Sequence, residues 1–95
     1  MNREEIISKL SVGTRLQCMF DKFHPIETGI LTVSEIDSVN FNLILKNEIG
    51  ANIIMPLGAS YKYNLDDKYF EILHNDRTAG WTPVEKYKII LEDSK

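Results

Sequence analysis

Ninety-five residues leave room for one domain, and 43% hydrophobic with 26% charged residues is the composition of a folded globular chain, not a disordered one. The net charge of −3 is spread evenly: residues 1–48 hold five basic and seven acidic side chains, residues 49–95 six and seven. No stretch supplies the clustered basic patch that a phosphate backbone normally needs, although folding can gather Arg15, Lys22, Lys62, Arg77 and Lys88 from separate places.

The opening "MNREEIISKL" predicts a short helix over residues 1–11. Asn2 can cap it, Glu5 stands three positions later as in a capping box, and Ile6, Ile7 and Leu10 share one face. Gly13 offers a stop. A face this narrow must lie against something to persist, so the helix is expected to lid the open end of a barrel. The start lacks the basic flank and apolar run of a secretory signal, and no stretch approaches the roughly 20 apolar residues needed to span a bilayer. Cys18 stands alone, which excludes an internal disulfide. A reducing, cytoplasmic setting without a membrane partner is expected.

Residues 14–73 predict strands. In "TRLQCMF" Leu16, Cys18 and Phe20 fall on one face and Arg15 and Gln17 on the other, with Met19 outward. "DKFHP" reads as a connection, because proline disfavours a helical His24 and cannot donate to a ladder. The long run "IETGILTVSEI" contains Gly29, which points to a bulge or bend. "VNFNLIL" alternates clearly, placing Val39, Phe41, Leu43 and Leu45 inward and Asn40, Asn42 and Ile44 outward. "KNEIG" predicts a hairpin loop into "ANIIM". "ASYKYNL" puts Ala59, Tyr61, Tyr63 and Leu65 on one face, "DD" turns the chain, and "KYFEIL" follows as a strand.

Residues 74–95 predict a loop and then a terminal helix or strand. Thr82, Pro83 and Glu85 form a helix opening, with Val84, Tyr87 and Leu91 on one face. "EKYKIIL" equally alternates, with Tyr87, Ile89 and Leu91 inward. Trp81, the only tryptophan, precedes this segment. With Thr82 as cap, its hydrophobic-staple partner would be Lys86, a poor match, so Trp81 is either a plug over the barrel mouth or an interface anchor.

Catalytic and metal-binding sets are not expected. Cys18, His24 and His74 have no paired spacing for a metal, and an inward Cys18 is inert. The pairs Asp66-Asp67 and Glu92-Asp93 suit solvated turns, and His74-Asn75-Asp76 suits a polar loop. Gly50, Gly58 and Gly80 stand singly, so no phosphate-cradling loop exists and no cofactor is expected. The candidate binding residues are Trp81 with Arg77 in its loop, and Tyr61 and Tyr63, which could be core or could line a groove.

Together these features predict an α+β, mostly antiparallel single domain, 1–95: a small SH3-like bent barrel of five to six strands with an N-terminal helix. The expected function is non-enzymatic: contact with another protein, or self-association, as a regulator, inhibitor or assembly subunit. The alternative is single-stranded nucleic-acid or nucleotide binding on a barrel face. "GILTVSEIDSVNFNLIL", with Gly29, Asp37 and Asn42-Leu43-Ile44-Leu45, somewhat resembles the first motif of Sm-like RNA-binding barrels, and "IIMPLGASYKY" with Gly58 echoes the second. That resemblance implies an Sm-like bend and, at the acidic and asparagine positions, contacts to a base. The spacing from Asp37 to Asn42 is one residue longer than the motif, and Leu57 stands where the family carries a basic residue. It therefore supports a strongly bent barrel and does not amount to membership.

Overall fold

The computed structural model describes residues 1–22 and 29–90. His24 with most of its connection, Leu91 and the pair Glu92-Asp93 lie outside the described residues. One short helix, α1 (Arg3–Lys9), precedes seven strands: β1 (Arg15–Asp21), β2 (Ile30–Asp37), β3 (Asn42–Lys46), β4 (Asn52–Pro56), β5 (Lys62–Leu65), β6 (Tyr69–Asp76) and β7 (Gly80–Ile90). All pair antiparallel in one sheet of order β4-β3-β2-β1-β7-β6-β5. The chain therefore exceeds the expected five to six strands, and its sheet is not closed by a β4–β5 ladder.

The helix forms for the expected reason. Asn2 accepts from the Glu5 amide while the Glu5 carboxylate accepts from the Asn2 amide, and Lys9 lies in the last turn. Ile6 and Leu10 are buried in a core cluster that also draws side chains from every strand. The first residues of the chain, Met1 and Arg3 at the start of α1, bridge the two ends of the sheet. Met1 exchanges backbone bonds with Tyr63 on β5, at 2.8 and 2.9 Å. Arg3 donates to the Leu57 carbonyl just past β4, and its guanidinium lies 3.8 Å from the Phe41 ring centroid.

Three irregularities bend the sheet. Met19 is an extra residue between the pairs Cys18↔Tyr87 and Phe20↔Lys86. Ser34 is extra between Val33↔Leu45 and Glu35↔Ile44, and its hydroxyl donates to the Ile44 carbonyl. Val84 is extra between Ile72↔Glu85 and Leu73↔Pro83. Each adds local twist, which lets the inner faces of strands far apart in the order share one core. Gly29 lies in a bend just ahead of β2, and the bulge within that strand is at Ser34.

Several strand phases are corrected by these features. Beyond the Met19 bulge Phe20 turns outward and is 40% exposed, so the inward run of β1 ends at the half-buried Cys18. Residues 38–41 form a turn, so Val39 is 81% exposed and Phe41 takes a positive φ of 57°. The strand itself begins at Asn42, with Leu43 and Leu45 buried as expected. Ala59 lies in an exposed loop ahead of β5. The final segment is a strand: β6 runs on to Asp76, and β7 pairs with both β6 and β1. Proline at position 83 is tolerated there because it lies beside a bulge.

Four of the turns share one device. Asp37, Asn47, Asp66 and Asp76 each accept, through side-chain Oδ1, the backbone amide two residues ahead, from Val39, Ile49, Lys68 and Thr78. A short polar side chain thereby satisfies turn amides that no strand can reach.

Candidate functional site

The candidate residues divide between the two faces of the sheet. Tyr63 is fully buried; its hydroxyl donates to the Gly58 carbonyl at 2.9 Å, and burial pushes its pKa up to about 12. It stacks on Phe70, which stacks on Tyr87, at centroid distances of 6.3 and 5.9 Å. This ladder of aromatic rings is core, so Tyr63 does not line a groove. The Tyr87 hydroxyl donates to Glu85 at 2.6 Å, and burial first, then that bond, raises its pKa. Tyr61, at the inner rim, is half-buried with its ring 5.7 Å from that of His74.

Trp81 lies elsewhere. It opposes Asn75 on β6, on the outer face of the sheet, and is 39% exposed. Neither the core cluster nor the residues packed against it include Trp81, so it is not a plug. Lys62 on β5 reaches across β6 to place its ammonium 4.7 Å from the Trp81 ring centroid. Arg77 is exposed in the adjacent turn, where Asp76 holds the Thr78 amide and hydroxyl. Trp81 and Arg77 thus share one end of the β6–β7 hairpin, while Tyr61 and Tyr63 belong to the other face.

The register adds residues that alternation along single strands could not group. Phe20, Lys86, Glu71 and Asn64 stand in one cross-strand row on the outer face of β1, β7, β6 and β5, and Gln17, Lys88 and Tyr69 in the next. Lys86 makes an ion pair with Glu71 at 3.6 Å and lies 4.3 Å from the Tyr69 ring centroid. Glu71 also accepts from Asn64. This face therefore carries Phe20, Tyr69 and Trp81 among Lys62, Lys86 and Lys88, with the single carboxylate of these rows already paired. Of the five cations that folding could have gathered, Arg15, Lys62 and Lys88 fall on it. The signal for the missed residues was pairing register, which depends on the Met19 and Val84 bulges.

Among the described residues no three His, Cys, Asp or Glu side chains gather to hold a metal. His74 and Asn75 are consecutive strand residues and so face opposite sides, while the Asp76 carboxylate is taken by its turn, whose bonds hold its pKa below 3.8. Asp37 likewise accepts from the amides of Val39 and Asn40 and from the Asn40 side chain. A shallow open depression between Leu10 and Ile89 is edged by Asp66 and Asp67, and Asp66 serves its own turn. No helix among the described residues is long and apolar enough to cross a membrane. Comparisons with protein-family models, curated proteins and solved structures give no significant match to this chain.

Proposed function

We propose that the protein is a non-catalytic binding module whose outer β1-β7-β6-β5 face recognises an acidic surface of another protein. The observation that carries this is Trp81, held partly exposed outside the core with Lys62 against its ring. An aromatic ring bedded on a cation and flanked by Arg77 is the composition of an interface anchor. Lys62, Lys86 and Lys88 on one face of a chain of net charge −3 give that face a sign opposite to the whole, which steers an acidic partner to it. The bent sheet, with Ile6 and Leu10 of the α1 segment in its core, supports an SH3-like or Sm-like barrel-derived scaffold in which the inner face is core and the outer face is the working surface. The single thiol suits a reducing, cytoplasmic setting.

Single-stranded nucleic acid is the second reading, favoured by three aromatic rings interleaved with lysines along neighbouring strands. The lack of a larger basic cluster and the central Glu71 place it second. Trp81, the only tryptophan, reports on both. A polyglutamate peptide is expected to change Trp81 fluorescence at low salt, and Lys62→Glu to abolish the change. An oligothymidylate that binds more tightly, with affinity falling steeply as salt rises, would move the second reading to first. No response to either probe at low salt would remove both.

A further inference from the structure

We propose that two copies of the chain associate by pairing their β4 strands antiparallel about a two-fold axis at Ile54. This goes beyond the binding reading, because it uses the opposite end of the sheet.

The two ends of the sheet are unequal. On β5 the amide and carbonyl of Tyr63, which face away from β6, are both bonded to Met1. On β4 the edge groups have no partner among the described residues. The bonds from Asn47 to Ala51 and from Leu57 to Phe41 set the phase of the β3–β4 ladder. Residues 53 and 55 therefore bond to β3, while Asn52, Ile54 and Pro56 point their backbone groups to the open edge.

Among the described residues that edge lacks the usual protection. Strand edges are normally blunted by charge, by proline or by a covering segment. Asn52–Pro56 is the only one of the seven strands without a charged residue, and its proline stands at the last position. Ile54 is 65% exposed and pairs with Ile44 on the outer face.

The donor and acceptor pattern is complementary to itself. With the axis at Ile54, the two Ile54 residues exchange amide-to-carbonyl bonds. Each Asn52 amide donates to the Pro56 carbonyl of the other copy, and the N–H that Pro56 lacks is missed only at the ladder's margin. Ile44 and Ile54 of one copy then continue into Ile54 and Ile44 of the other as a single apolar row. Two chains of net charge −3 meet along the one strand where no like charges oppose. These features favour a second copy over an unrelated peptide, which would have to supply the matching isoleucines.

Light scattering of the full chain over a range of concentrations is expected to give the mass of a dimer, and Ile54→Lys the mass of a monomer with an unchanged far-UV spectrum. Ile49→Lys, at a hairpin tip 89% exposed, is expected to leave the dimer intact. Amide exchange reads the same ladder without any substitution: the Ile54 N–H is expected to exchange about tenfold or more slowly in the dimer than on dilution. A monomer at every concentration, a dimer that survives Ile54→Lys, or an unprotected Ile54 amide in the dimer would each overturn the proposal. Should Ile54→Lys fail to fold, the exchange experiment decides alone. Response of Trp81 to the acidic peptide is expected to persist in monomeric Ile54→Lys, which separates this proposal from the binding reading.

Discussion

The Lys62 ammonium and the Trp81 indole meet across an intervening strand, 4.7 Å apart, on the outer face of the sheet. A cation above an indole at a partly exposed site contributes about 0.5–1 kcal/mol. Lys62→Ala is therefore expected to lower stability by about that amount in urea denaturation, and to shift Trp81 emission as the ring loses its cover.

Trp81→Ala should cost little stability, within about 1 kcal/mol, because the ring is outside the core and leaves no sealed cavity. Affinity for the acidic partner, measured by calorimetry, should fall instead. A loss of several kcal/mol in stability would show that the ring supports the fold.

Phe70→Ala should behave in the opposite way. Phe70 is fully buried between Tyr63 and Tyr87, so its removal is expected to cost about 3–5 kcal/mol. Tyr63→Phe is milder, about 1 kcal/mol, since it removes one hydrogen bond to the Gly58 carbonyl and keeps the ring stack.

The turns give the protein an acid limit. Asp37, Asp66 and Asp76 have carboxyls held below 3.8, chiefly by the backbone amides of Asn40, Lys68 and Thr78. A depressed folded pKa means that this stabilisation is complete above 3.8 and is lost as pH falls through the lower folded values. Melting temperature is expected to be nearly flat between neutrality and about pH 5, then to fall on further acidification. Asp37→Asn, which keeps an acceptor for the turn amides and cannot titrate, should blunt the fall.

Much of the scaffold was legible in residue order. The capping box at Asn2 and Glu5 gave the helix, and alternation gave the buried Leu16, Leu43 and Leu45, but it left Tyr63 open between core and groove. What alternation cannot carry is a bulge. One extra residue at Met19 sends Phe20 outward, and one at Val84 lets a Thr-Pro-Val-Glu sequence with a helix's opening chemistry run as a strand paired to β6, whose continuation Glu85–Ile90 also pairs with β1. Local propensity yielded there to the ladder. The outer-face grouping of Phe20, Tyr69, Lys86 and Trp81 needed cross-strand register, and Trp81 could not be assigned to core or surface until that register was known.

The strand order also says when each contact can be made. β1 to β4 form one meander and β5 to β7 another, each from hairpins between chain neighbours, whereas β1 and β7 are joined from opposite ends of the chain. The local hairpins close short loops; the β1–β7 seam must close most of the molecule and therefore comes late in assembly. A cut in the exposed loop at Ala59 and Ser60 would leave two meanders with their own ladders intact, able to find each other through that seam, the Tyr63–Met1 bonds and the shared core. Reassembly of two such fragments would make the rate of seam formation directly observable, as a bimolecular step whose speed rises with concentration.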